Sequence, residues 1–253
     1  MNILITGALG FIGKNLSARL KETYPDSKIY LVDVDTTMDE LYEYTKDCDF
    51  VYNFAAVHRP KETSEFDAVN HMYFDSLLGM LKEHSNTCPV LYTSSIQATN
   101  GTEYGNSKLA AEAELRKHAE TTGARAVIYR LTNTFGRWAT PNHHSVVATF
   151  CYNLVKEIPL QISDRNHVME FYYIDDVIDD FVSQLSGEKT PDADGIFRLP
   201  DEKIYRITLG ELADLLYYIK DSVNGNKEFV SSLAIGEKMY KTYLSYVKEY
   251  SEK

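Results

Sequence analysis

The opening residues MNILITGALGFIGKNL constrain the fold more than any other stretch of the chain. Ile3–Thr6 has the length and composition of a buried strand. Gly7, Gly10 and Gly13 follow at even spacing, and Lys14–Thr23 carries helical periodicity. Strand, glycine turn and helix in that order imply a backbone that turns sharply and is approached closely from outside. The same alternation continues. Strands over Lys28–Asp33, Phe50–Phe54, Val90–Ser94 and Ala126–Leu131 are separated by helices over Met38–Lys46, Phe66–His84 and Tyr104–Thr122. Repeated βαβ units of this kind predict an α/β fold with a mainly parallel sheet.

In a doubly wound sheet of the Rossmann type, each glycine of such a turn has a mechanical task. The first makes the turn, the second admits a pyrophosphate to the backbone, and the third lets helix and strand pack closely. The helix N-terminus then offers free N–H groups and partial positive charge to that pyrophosphate. An acid should end the second strand and accept the ribose hydroxyls, and Asp33 closes KIYLVD 20 residues after Gly13. The predicted cofactor set is Gly7, Gly10, Phe11, Ile12, Gly13 and Asp33, with Phe11 and Ile12 lying between the last two glycines. A carboxylate at Asp33 repels a 2′-phosphate, and LVDVDTTMDE has no Lys or Arg to receive one. NAD(H) is therefore favoured over NADP(H).

After Gly136 the loops lengthen, and helices over Ser145–Lys156, Tyr173–Leu185 and Leu209–Lys220 are separated by short strands. The expected division is a dinucleotide-binding domain over 1–136 and a small substrate-binding lobe over 137–253, with some exchange of segments. In the closing TYLSYVKEYSEK, Tyr243, Val247 and Tyr250 share one helical face and predict a docking helix. Nothing approaches the ~18 consecutive apolar residues of a membrane span. The N-terminus has no basic leader, so no signal peptide is expected. Cys48, Cys88 and Cys151 are scattered and read as reduced thiols of a cytoplasmic protein. A net charge of -11 argues against nucleic acid or an anionic membrane as partner.

A second constellation lies in YTSSIQATNGTEYGNSKLAAEAEL. Ser94 and Ser95 end a strand, where ligands meet an open α/β sheet. Tyr104 and Lys108 are four apart at the start of an Ala- and Leu-rich helix and share a face. A nearby ammonium should lower the tyrosine pKa from its usual ~10 toward neutrality, making Tyr104 a proton donor for a carbonyl under reduction. A serine hydroxyl can hold and polarise the same oxygen. The bland alternative is that Tyr104 and Lys108 mark an ordinary surface face.

TGALGFIG, NFAA at Asn53–Ala56, Ser95 and Tyr104-Gly-Asn-Ser-Lys108 resemble the extended short-chain dehydrogenase/reductases that act on nucleotide sugars. NTFG at Asn133–Gly136 and YYIDDV at Tyr172–Val177 match further landmarks of that family. SSIQAT followed by YGNSK, NTFGRWATPNHHSVVATFCYNL, ITLGELADLLYYIK and TYLSYV resemble more narrowly the reductase half of bifunctional capsular polysaccharide enzymes of UDP-N-acetyl-L-fucosamine synthesis. The resemblance implies reduction of the C4 ketone of a UDP-2-acetamido-2,6-dideoxy-hexos-4-ulose by an NAD(P)-dependent enzyme. It implies Ser95, Tyr104 and Lys108 as catalytic triad, with Ala55 and Ala56, besides Tyr104 and Lys108, at the cofactor. It also implies Asn133 and the 137–145 loop, with Arg137, Asn142 and Ser145, at the UDP-linked amino-deoxy sugar. A homodimer is implied as well, paired through Phe66–His84 and Tyr104–Thr122 with Phe74, Leu77, Leu78, Leu109 and Leu115.

The chain departs from those patterns in three places. Ser95 and Tyr104 are only nine apart, a short form that the narrow family shares. Met169 stands where the superfamily has a UDP-contacting arginine, leaving Arg137 or Arg165 to substitute. The chain ends where the narrow family continues into a metal-dependent cupin epimerase. His143 and His144 are adjacent and make no metal pair, so no metal site and no epimerase activity are expected. His58-Arg59-Pro60-Lys61 reads equally as a ligand-facing loop or a solvated basic turn. Trp138 reads as core or as a base-stacking surface; Asp175-Asp176 resemble a metal or acid/base pair, but at helix-start spacing they read rather as a helix cap. Ile96-Gln97 replace the acid/base pair that a 4,6-dehydratase needs after its catalytic serine. An NAD-retaining UDP-sugar 4-epimerase or dehydratase, and a non-catalytic dinucleotide sensor, are the alternative readings.

Overall fold

The computed structural model describes residues 1–56, 72–143, 145–225 and 227–251. His58-Arg59-Pro60-Lys61, His144 and the first part of the expected Phe66–His84 helix fall outside them. The chain forms two compact units, Met1–Leu131 with Asp180–Arg198, and Thr132–Asp179 with Leu199–Lys253.

The first unit holds a five-stranded parallel sheet of β1 (Asn2–Thr6), β2 (Lys28–Val32), β3 (Phe50–Asn53), β4 (Val90–Ser95) and β5 (Ala126–Leu131), in the order β2-β1-β3-β4-β5. β3 and β4 are buried along their whole length, as near-continuous apolar runs require when a sheet is covered on both faces. The covering helices are α1 (Phe11–Thr23), α2 (Met38–Tyr44), α3 (Tyr73–Glu83) and α4 (Glu103–Thr122). A capping box between Thr37 and Glu40 starts α2, and Gly123 at φ +80° ends α4. The core gathers Leu4, Val51, Phe74, Leu77, Leu78, Tyr92, Leu115 and Ile128, each largely removed from water. The segment 180–198 closes the β5 side of the unit. Phe197 bridges Tyr129 in parallel, Tyr52 donates to the Phe181 carbonyl (3.0 Å), and Gln184 and Lys189 join a network with Tyr129, Asp180 and Arg125.

The second unit is built on a three-stranded sheet, β6 (Asn133–Phe135), β7 (Val168–Tyr173) and β8 (Tyr205–Thr208), with β7 parallel to β6 and antiparallel to β8. Its helices are α5 (Val146–Val155), α7 (Leu209–Asn224) and α8 (Gly236–Tyr250), which pack on one another. α6 (Ile174–Ser183) starts in this unit and ends in the first. Asp175 and Asp176 lie in its first turn as expected, and Asp176 is also held by Lys203 (2.9 Å) and Lys238 (3.1 Å). The terminal helix docks, but its buried face is Met239, Thr242, Tyr243 and Tyr246, with Val247 and Tyr250 at the margin. The Tyr246 hydroxyl fixes that face by donating to the Ala139 carbonyl.

Candidate active site

The sheet reverses winding direction at β1, whose two neighbours are β2 and β3. Such switch points are where open α/β sheets take ligands, beyond the strand C-termini. The glycine turn lies there. Gly7 has φ +63°, and a Cβ on it would come within 2.8 Å of the Ala55 nitrogen and the Phe54 carbonyl carbon. A Cβ on Gly13 would collide with the Gly7 carbonyl oxygen and come within 2.7 Å of the Ala8 Cα. Helix α1 begins at Gly10 with no side-chain cap, which leaves its first N–H groups for a ligand. Ala55 is anchored by donating to Thr6 Oγ1 (3.2 Å), and Thr6 in turn donates to the buried Asn53. Asp33 follows β2 directly, and its carboxylate accepts the N–H of Leu9 in the glycine turn (2.7 Å) and that of Val34 (3.0 Å). The acid is thus tied to the turn it was expected to serve. A cradle that only glycine fits, an uncapped helix and a flanking carboxylate together suit a dinucleotide.

The nine-residue step from Ser95 to Tyr104 closes through a single 3-10 turn, Ile96–Thr99, capped by Ser95 Oγ accepting from the Gln97 N–H (3.1 Å). Thr102 caps α4 by accepting from the Gly105 N–H (3.1 Å). A Cβ on Gly105 would meet the Gln97 carbonyl oxygen and, at 2.6 Å, Asn100 Oδ1. Glycine at 105 therefore lets the first turn of α4 press against the 3-10 turn, which brings Tyr104 into hydrogen-bonding reach of Ser95. Lys108, only 2% exposed, lies one helical turn on, donates to the Thr93 carbonyl (3.0 Å), and sits 5.0 Å from the Tyr92 ring centre and 5.9 Å from that of Tyr104.

The electrostatics differ from expectation. Burial pushes the Tyr104 phenol up to about 12, against the opposing pull of its Ser95 hydrogen bond. Burial brings the Lys108 ammonium down to about 7, while the Glu112 carboxylate pulls it the other way. Proximity of Tyr104 to Lys108 does not make a phenolate here, because desolvation penalises both charged forms.

The proposed substrate residues all lie in the second unit. Asn133 donates to the Glu170 carbonyl (3.2 Å), Ser145 caps α5 through Ala148, and the Asn142 N–H donates to Thr149 Oγ1 (2.9 Å). Arg165 is held at the surface by Asp214 (2.7 Å). The Arg137 guanidinium stacks 4.5 Å from the centre of Trp138, which is 37% exposed rather than core and has φ +69°, unusual for a bulky residue. Among the described residues no group of three or more His, Cys, Asp or Glu could hold a metal, and no helix is long and apolar enough to cross a membrane. Two pieces of the site were missed in the sequence: the Thr6–Asn53 anchor, and Glu112, whose signal was a carboxylate one helical turn beyond Lys108 on the same face of α4.

Residues 3–195 match the NAD dependent epimerase/dehydratase family. Over 249 residues the chain is 36% identical to the UDP-2-acetamido-2,6-beta-L-arabino-hexul-4-ose reductase of Pseudomonas aeruginosa, covering 98% of this chain and 66% of that one. It resembles the crystal structure of the capsular polysaccharide assembling protein CapF from Staphylococcus aureus at 38% identity and a TM-score of 0.87, again over 98% of this chain and 66% of the other. The chain thus spans just under two thirds of the length of either protein. UDP-glucuronic acid 4-epimerase from Bacillus cereus, solved with NAD, superposes over 99% of this chain with a TM-score of 0.80 at 17% identity, a likeness of fold alone.

Proposed function

The chain belongs to the NAD dependent epimerase/dehydratase family, and from that premise we propose that it reduces the C4 ketone of a UDP-2-acetamido-2,6-dideoxy-hexos-4-ulose. The observation that carries this reading is the hydrogen-bonded pair of Ser95 and Tyr104 with Lys108 beneath the phenol. The Pseudomonas aeruginosa relative, a UDP-2-acetamido-2,6-beta-L-arabino-hexul-4-ose reductase, supplies the sugar class. The glycine turn, the start of α1 and Asp33 would hold NADH, with Lys108 at the nicotinamide ribose. Bound there, the dinucleotide would supply the hydride that reduces C4. Ser95 would hold the ketone oxygen. Tyr104, protonated at neutral pH because its pKa is about 12, would give that oxygen its proton. Arg137 is assigned to the UDP in preference to Arg165, which Asp214 already neutralises. Asn133, Asn142 and Ser145 complete the assignment to the sugar nucleotide. The acting form is taken to be a cytoplasmic homodimer.

The test is to incubate the protein with the UDP-4-keto sugar and NADH or NADPH, following nicotinamide absorbance. Stoichiometric consumption of NADH, faster than of NADPH, is expected. Turnover of a UDP-sugar without net cofactor consumption would point to an epimerase, and NADH binding without turnover of either to a sensor.

A further inference from the structure

Behind Lys108, away from the phenol, lies an ion pair that the proposed chemistry does not use. Glu112 is one turn beyond Lys108 on the same face of α4 and is 2% exposed. Arg130 on β5 grips its carboxylate with two hydrogen bonds, Nε to Oε1 at 2.9 Å and Nη2 to Oε2 at 2.7 Å. The Ser94 hydroxyl donates to the same carboxylate (2.5 Å). Ser94 and Arg130 are register partners in the sheet, so one carboxylate ties the inner face of α4 to both strands beside the catalytic serine.

Burying a fully hydrogen-bonded ion pair gains little stability over an apolar pair of similar size. A core of Ala111, Leu115 and Ile128 surrounds this level of α4 and would accept apolar residues. Its position relative to Lys108 suggests a different purpose. Among the described residues, the titratable and charged groups facing Lys108 are Tyr92 on β4, Tyr104 and Glu112 on α4, and Arg130 on β5 behind Glu112. Of these, only Glu112 can carry negative charge at neutral pH beside the ammonium. The Tyr92 ring adds a cation-π contact, but its phenol is kept neutral by burial.

We infer that Glu112, fixed by Arg130 and Ser94, is a positioning residue for Lys108. Its buried carboxylate opposes the loss of the Lys108 proton that burial favours and holds the ammonium between the Thr93 carbonyl and the Tyr104 ring. The inference deepens the role proposed for Lys108 and rests on that reading only for its link to catalysis. Without Glu112, Lys108 would keep its burial and lose the opposing pull of that carboxylate, so it would release its proton at lower pH.

The experiment reads Lys108 directly and needs neither cofactor nor sugar. The protein is labelled with 15N at lysine side chains, and the Lys108 Nζ signal is assigned by its loss in Lys108→Met. In Glu112→Gln its titration midpoint should fall by about one unit or more from the wild-type value, the usual effect of removing a close opposite charge. A midpoint unchanged in a folded Glu112→Gln protein overturns the inference and leaves Glu112 a structural brace. If stranding Arg130 prevents folding, the double variant Glu112→Gln/Arg130→Gln, which strands no guanidinium, is compared with Arg130→Gln alone. A Lys108 midpoint below that of Arg130→Gln supports the inference, and an equal midpoint overturns it. Failure of the protein to reduce any 4-keto sugar would overturn the proposed function and leave this result intact.

Discussion

At the scale of single residues, the proposed chemistry depends on one phenol and one buried amine. Tyr104→Phe removes a hydroxyl and almost no volume, so fold and NADH affinity should persist. Turnover should drop by about two to four orders of magnitude, the worth of a positioned proton donor. Wild-type turnover in steady-state kinetics would remove the catalytic assignment. Lys108 gives a stability signature of its own. Its pKa is about 7 in the fold and 10.5 when unfolded, so between those values the unfolded chain binds the extra proton. Wild-type stability therefore gains a contribution as pH rises through that window, and below pH 7 the burial penalty is present in full. Lys108→Met lacks the penalty. Its melting temperature relative to wild type should be highest below pH 7 and should decline steadily toward pH 10. A difference that stays flat across calorimetric scans would mean that Lys108 is not titrating in the buried state described. The placement of these residues was legible in the sequence because it is set by local spacing, three glycines in one turn and Tyr104 one turn from Lys108. The Tyr104 pKa was not, because spacing reports a neighbour and says nothing of the water that burial removes.

At the scale of elements, two glycines hold two turns in different ways, and substitution should separate them. A methyl at Gly13 meets only backbone, the Gly7 carbonyl and Ala8, so Gly13→Ala must open the cofactor turn. NADH affinity should weaken at least tenfold by calorimetric titration, about 1.4 kcal/mol or more. A methyl at Gly105 instead meets the 3-10 turn after Ser95. Gly105→Ala should leave NADH affinity near wild type and cut turnover, by levering Tyr104 away from Ser95. Equal losses of affinity in both variants would contradict this division. The Gly105 contact was hidden because it depends on how the short 95–104 connection coils. Glu112 and Arg130 were hidden for the same kind of reason: one is on a helix and the other on a strand, and only the packing of α4 against the sheet brings them together. Periodicity also names an apolar face without naming what covers it. Phe74, Leu77, Leu78 and Leu115, read as dimer contacts, are core residues beneath the sheet-facing sides of α3 and α4. Of that set only Leu109 is exposed, at 42%.

At the scale of the whole molecule, that leaves a narrower surface for the proposed homodimer. The outer faces of α3 and α4 present Ser76, Gly79, Leu109 and Ala113, small enough for helices of two copies to approach closely. A symmetric pair through this face predicts a dimer by light scattering at micromolar concentration, and monomer for Leu109→Arg with its melting temperature kept. A wild-type monomer would exclude the pairing. The strand and helix order of the first half was readable because βαβ units repeat with local signals. The return of residues 180–198 to the first unit was not, since nothing in their composition announces which sheet edge they cover.

That return bears on how the protein could have been assembled, and on how it can be taken apart. The β5 side of the first unit is covered by a segment that the chain delivers only after β6 and β7, and before β8. A break at residue 136 would strip β5 of Phe197 and leave Tyr52 and Tyr129 without the partners they have in Phe181, Asp180 and Gln184. A fragment of residues 1–136 should therefore aggregate or melt without a cooperative transition, whereas one of residues 1–198 retains every piece of the first unit. A sharp, reversible melt of the shorter fragment by circular dichroism would show otherwise. The two units alternate along the chain, and therefore along the gene. Neither is a cassette that recombination at a single crossover could lend to another protein, and neither can finish folding on the ribosome until residue 198 has emerged.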